Sequence, residues 1–257
     1  MLLAVKKNVI QINVMVRRNL IHVLRNSESL TMTFVLPIMV TLLFVYVFGG
    51  ALGSGNRSEY LRYVLPGILI MSPAFGVYMT GIEVNNDMSK GIIDRFKTLD
   101  INQSSVIVGH MITSVVRNLL GTIFVVLFAV LIGFRTDVSV LNWLCGLGMM
   151  TLYILMISMI SIVVGLFGKS PESVGGFMML IQFAPYVSSA FVPTETMPAG
   201  LRAFSNHQPF TKVANTMRSL MLGTHSGRDW IYAVLWCALV TILCLVLSRH
   251  LYQKKTT

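Results

Sequence analysis

The sequence predicts an all-α integral membrane protein with six transmembrane helices, and three observations predict it. Of the 257 residues, 54% are hydrophobic and 12% are charged, about half the charge of a soluble domain. The mean hydropathy is +0.73, more apolar surface than one soluble core of this length encloses. Uncharged runs near the ~20 residues that a helix needs to cross a bilayer recur along the chain, and Lys and Arg collect between alternate runs.

The chain reads as one transmembrane domain over residues 1–257, without internal repeats or low-complexity tracts. Residues 1–27 come first. Val5, Val9, Ile12, Val16, Leu20 and Val23 recur at helical spacing, with Lys7, Gln11, Arg18, His22 and Arg25 opposite. That pattern predicts an amphipathic helix lying in the cytoplasmic interface. The cationic residues Lys6, Lys7, Arg17 and Arg18 interrupt any signal-peptide apolar stretch, so a cleavable leader is not expected.

The six predicted spans lie in Ser29 to Asn56, Tyr63 to Ile82, Ile101 to Phe134, Val138 to Gly168, Ser173 to Thr194 and Trp230 to Ser248; only Arg117 interrupts the third. Lys90, Arg95, Lys97, Lys169, Arg249, Lys254 and Lys255 fall on the same side as the basic N-terminus. The positive-inside rule therefore predicts cytoplasmic termini. Between the second and third spans, residues 84–102 form a cytoplasmic loop. Ile92, Ile93, Phe96 and Leu99 make an apolar stripe there, beside Lys90, Asp94, Arg95 and Lys97. A short amphipathic helix of this kind either rests on lipid or inserts into a partner's groove.

Residues 194–228 break the charge rule, because they carry Arg202, Lys212, Arg218 and Arg228 on the predicted outer side. Pro193, Pro198 and Pro209 also lie in or beside this stretch, and proline breaks a helix interior. Short re-entrant helices on the outer side satisfy both facts, since irregular backbone at membrane depth must be covered by protein or face a wet cavity.

Several chemistries are excluded. The formal charge of +10 does not mark a nucleic-acid binder, because the cations sit at the ends of apolar runs and not on one solvated face. Anionic membrane lipids are the expected counter-charge. Cys145, Cys237 and Cys244 lie in apolar runs with no CxxC spacing, so neither a metal site nor a disulfide framework is expected. Gly168-Lys169-Ser170 resembles the tail of a phosphate-binding loop, but Val163 occupies the position of the required first glycine. The histidines His22, His110, His207, His225 and His250 form no HExxH, and GxSxG is absent, which leaves hydrolase chemistry without a nucleophile or metal. A channel would need a selectivity filter or a ring of carboxylates, and neither is visible.

Two charges fall within or beside spans. Arg117 lies well inside the third, where a charge costs several kcal/mol unless it faces a bundle interior or cavity. It is either a polar anchor or anionic contact in a transport path, or a structurally paired or snorkelling side chain. Glu83, at the inner end of the second, reads as a solvated helix end. The 17 methionines could line an adaptable path, though Met is also a common packing residue.

Specific residues resemble a known family. Gly91-Ile-Ile-Asp-Arg-Phe-Lys-Thr-Leu99, Val108-Gly109, Arg117-Asn-Leu-Leu120, Lys169-Ser-Pro-Glu172, Ser188-Ser-Ala-Phe-Val-Pro-Thr-Glu195-Thr-Met-Pro198, Pro209-Phe-Thr211 and Met217-Arg218-Ser-Leu-Met-Leu-Gly223 follow in order. Together they resemble the daunorubicin-resistance-type permeases of the ABC type-2 exporter superfamily. The resemblance implies a multi-pass permease of a bacterial or archaeal inner membrane that exports a hydrophobic, drug-like substrate; a lipid, glycolipid or peptide cargo is the alternative. It further implies a homodimer or heterodimer of permeases on two cytoplasmic ATPase subunits, which would bind the Mg-ATP; no cofactor is expected on this chain. Lys90 to Leu99 would then be the coupling helix docking on the ATPase. The chain departs from the family at Asp100, where Pro is common, and at His110 and Ser114, where Arg and Asp are common. The Asp one turn from Arg117 is thus missing.

Overall fold

The computed structural model describes residues 2–49, 57–89, 103–192, 194–224 and 227–256. The coupling segment Lys90 to Leu99 and Pro193 lie outside the described residues. Among the described residues the secondary structure is helical throughout. Five helices are long and apolar enough to cross a membrane.

Helix α1 (Leu2–Arg25) turns at Asn26, whose side chain accepts from the Glu28 and Ser29 amides and caps the next helix. That helix, α2 (Ser27–Phe48), is the first long apolar one. Its turns at Thr31–Val35 and Leu43–Phe48 are wound as π-helix. Pro37 explains the first, because it lacks an amide proton and its ring crowds the carbonyl four residues back. The Leu36 amide accordingly reaches Thr31 O, five residues away. The displaced Thr33 carbonyl is accommodated by Gly121 on a neighbouring helix, where an added Cβ would lie 2.9 Å from that oxygen.

Helix α3 (Arg57–Ser89) is the most deeply buried of the five. Its carbonyls bond outward: Ile70 O accepts from the Tyr153 hydroxyl at 2.9 Å, Ala74 O from Gln182 at 3.3 Å, and Val77 O from the Ser161 hydroxyl. Around it stand α4 (Gln103–Leu131) and α5 (Val140–Phe167). The α3–α5 crossing is tight. A Cβ on Gly165 would fall 2.4 Å from Gly81 O, so small residues set the helix separation, as is usual where lipid supplies no hydrophobic drive between helices.

Gly168-Lys169-Ser170 is a joint between helices. Gly168 closes α5, and Ser170 begins α6 (Pro171–Phe183) through a reciprocal capping box with Ser173. Glu172 lies exposed in that first turn. The predicted fifth span, Ser173 to Thr194, is not one long helix. α6 has 13 residues and passes into a 3-10 turn, Ala184–Val187, at Pro185. At 1.5 Å per residue α6 is about 20 Å long, short of a ~30 Å hydrocarbon core.

Two short helices follow, α7 (Ala199–His207) and α8 (Pro209–Leu222), then the last long helix α9 (Asp229–Thr256). Pro209 opens α8, where its missing amide costs nothing, and Pro198 immediately precedes α7. Most of the charges that break the positive-inside rule are locally bonded. Arg202 donates to Glu195 O and to Met197 O at 3.1 Å, and Arg218 to Ser189 O at 2.8 Å, while also lying over the Tyr63 ring. Lys212 pairs with Asp229 at 2.8 Å.

Candidate functional site

The polar residues of this apolar bundle converge where α1 to α5 meet. On α3, Gly76, Thr80, Glu83 and Asp87 are spaced by three or four residues and so share one face. On α4, Ser114 follows His110 by four residues, and Arg117 and Asn118 follow Ser114 by three and four. The two faces meet each other.

Arg117 occupies the centre. One terminal nitrogen, Nη1, donates to Glu83 Oε1 at 2.9 Å and to Ser29 Oγ at 2.8 Å. The other, Nη2, donates to Gly76 O at 2.7 Å and Thr80 Oγ1 at 2.6 Å. The pair is buried, with side-chain exposures of 2% for Arg117 and 11% for Glu83. Glu83 is therefore not a solvated helix end: it is drawn inside because it neutralises Arg117. It takes the place of the missing Asp one turn along α4. From Thr80 the network continues to Ser114 Oγ at 2.9 Å, and from there to Ser158 Oγ on α5 at 2.8 Å. Position 114 thus serves as a hydroxyl relay joining three helices.

A second cluster lies toward the α3 C-terminus. Arg18 of α1 grips Asp87 with both terminal nitrogens, at 2.6 and 2.9 Å, and His110 Nε2 approaches the same carboxylate at 3.1 Å. A bidentate Arg–carboxylate pair fixes orientation as well as distance. Beside it Met15 and Asn19 are buried, while Val9, Ile10, Val14 and Leu24 remain exposed. α1 thus docks part of its polar side on the bundle and turns apolar residues outward. The Arg18, His22, Asn86 and Asp87 side chains enclose a cavity of about 140 Å³ with Glu83 and His110.

Of the residues singled out in the sequence, the structure brings Arg117 and Glu83 together. Glu195 and Arg218 lie apart from them around α7 and α8. The sequence reading missed Arg18, Asp87 and His110 as a group. The signal was present: polar residues at three- and four-residue steps on α3 and α4, inside runs where such residues are costly.

Removing the Asp87 carboxylate should detach α1. Asp87→Ala is expected to cost about 1–2 kcal/mol, less than a fully buried charged bond because Arg18 is a third exposed. Faster tryptic cleavage after Arg17 and Arg18 in the detergent-solubilised protein is the readout, and cleavage at the wild-type rate would contradict the docking role.

A multi-helix bundle with five helices able to cross a membrane and a cationic residue neutralised at its core is a polytopic membrane protein. The family model for ABC-2 type transporters matches residues 10–222, and the chain belongs to that family. It is 29% identical over 223 residues to the daunorubicin resistance ABC transporter permease protein DrrB1 of Streptomyces coeruleorubidus, covering 86% of this chain and 78% of that one. It is 22% identical over 223 residues to the probable doxorubicin resistance ABC transporter permease protein DrrC of Mycobacterium tuberculosis, covering 87% and 81%. Family membership implies association with an ABC ATPase subunit.

Proposed function

We propose that this chain is the permease subunit of an ATP-driven exporter that moves a hydrophobic or amphipathic, drug-like molecule outward. The observation that carries this is the family match over residues 10–222, supported by the two resistance permeases to which the chain is similar. In this reading two permease copies rest on two cytoplasmic ATPase subunits, which bind the Mg-ATP and hydrolyse it. Both termini are cytoplasmic and the membrane is the cell's inner membrane. α6 with its following turn supplies the sixth crossing, and α7 and α8 form the outer re-entrant segment.

Lys90 to Leu99 docks on the ATPase, with Ile92, Ile93, Phe96 and Leu99 as the buried stripe. Its position in the chain supports this. It links the end of α3 to the start of α4, the two helices bound by the Arg117–Glu83 pair and the Asp87–His110 contact. A displacement of the loop would therefore pull on α1, α2 and α5 together. ATP drives transport only by binding one global state of the complex better than another.

The test is ATP-dependent accumulation of doxorubicin in inverted vesicles carrying the permease and its ATPase. Phe96→Ala should weaken ATPase co-purification, because an aromatic anchor in a helix-in-groove contact is worth about 2 kcal/mol or more. Ile93→Asp should be worse, as it buries an unpaired charge. Unchanged co-purification for both variants would refute the docking role, and ATP-independent drug movement would refute the exporter.

A further inference from the structure

A groove remote from the charged core carries a separate reading. Between α4, α5 and α8 runs a cavity of about 280 Å³, lined by Val126, Leu127, Trp143, Leu147, Met150 and Met221 among other apolar side chains. It reaches along α5 from Val140 to Met150, about 15 Å at the helical rise. That is the depth of one leaflet of a ~30 Å core. Trp143 sits near the shallow end, the level at which tryptophan prefers to lie in a bilayer.

The groove does not end blindly. Asn142 lines both it and a second cavity of about 410 Å³, bordered by Arg62, Arg135, Asp137 and Ser139. Arg62 and Asp137 have no ion-pair partner among the described residues, and Arg135 donates only to the Val130 and Phe134 carbonyls. An apolar slot one leaflet deep thus adjoins, at Asn142, a vestibule bordered by two arginines and one aspartate.

We propose that this composite site holds a resident aminophospholipid of the phosphatidylethanolamine type. One acyl chain lies in the groove, the phosphodiester meets Arg62 and Arg135, and the primary ammonium meets Asp137. The charge pattern selects a zwitterionic phospholipid, and a carboxylate favours a primary ammonium, which donates N–H bonds, over the quaternary ammonium of phosphatidylcholine, which has none. Arginine matches phosphate oxygens geometrically, and the carboxylate disfavours a headgroup that is only anionic. A hydrophobic molecule without a headgroup would leave the vestibule unused. The inference needs only that the chain spans a membrane, so it stands whether or not the drug-export reading does.

Native mass spectrometry of the purified permease without its ATPase, offered phosphatidylethanolamine, phosphatidylcholine and phosphatidylglycerol at equal concentration, is the test. Retention of phosphatidylethanolamine about tenfold above the other two is expected, and Arg62→Ala with Arg135→Ala should lower retention of all phospholipids by about tenfold. Asp137→Asn, a mild change at an exposed position, should level phosphatidylethanolamine with phosphatidylcholine. Gly146→Phe should block the groove from α5, where an added Cβ meets only the flexible end of Met217 at 3.7 Å. Equal retention of all three lipids by the wild type would overturn the headgroup assignment. Efficient cross-linking between two copies through Leu144→Cys in native membranes would overturn the site itself, because a second chain would then cover it.

Discussion

Arg117→Leu is expected to abolish export and lower the permease's thermal stability, at a cost of about 3 kcal/mol. The reason is what it leaves behind: Glu83, 11% exposed, without its cation, and Thr80, Ser29 and the Gly76 carbonyl without their shared donor. Arg117→Lys should be milder, because an ammonium can still reach Glu83 but cannot fork to four acceptors. The companion variant Arg117→Leu with Glu83→Leu separates stability from transport. Replacing both members of a buried pair by apolar residues is often neutral, so the melting temperature should recover most of its loss. If transport recovers as well, the pair is structural; if it stays lost, the charge serves the transport cycle. Unaltered stability and export in Arg117→Leu alone would show that the network holds nothing.

The second large effect concerns the α3–α5 crossing. Gly165→Ala should cost about 1–3 kcal/mol through overpacking, and Gly165→Leu should prevent recovery of folded protein. The contact is with the Gly81 backbone oxygen at 2.4 Å and Val84 Cβ at 3.0 Å, neither of which can swing aside. Gly148→Ala on the same helix is the control, since nothing lies within 4 Å of its added Cβ. Thermal melting in detergent that ranks the two substitutions alike would refute the close-crossing argument.

The long helices were legible because length and hydropathy in a membrane protein are dictated by bilayer thickness and not by tertiary packing. Ser173 to Thr194 was harder. Its hydropathy is that of a span, but Pro185 inside it ends the α-helix after Phe183, and periodicity cannot tell a tilted helix from a broken one. The core charges divide similarly. Arg117 stood out as an isolated cation in an apolar run, whereas Glu83 and Asp87 lay close to a charged loop and looked solvated. What decides their burial is that α1 and α4 bring Arg18 and Arg117 to them, which is a long-range fact. The polar stripe Gly76, Thr80, Glu83, Asp87 was readable in principle. It required treating polar residues, and not only apolar ones, as the periodic signal.

The Lys212–Asp229 pair has a consequence for electrical work. With residues 194–228 on the outer side, as proposed, every unneutralised cation there would have been moved against a membrane potential negative inside. That costs about 2.3 kcal/mol per elementary charge for each 100 mV. Lys212 held 2.8 Å from Asp229, with Asn215 bonding the other carboxylate oxygen at 2.7 Å, forms a locally neutral unit. The field therefore exerts almost no net force on this pair, and Lys212 adds little to the electrical work that Arg218 and Arg228, which have no carboxylate partner among the described residues, still require.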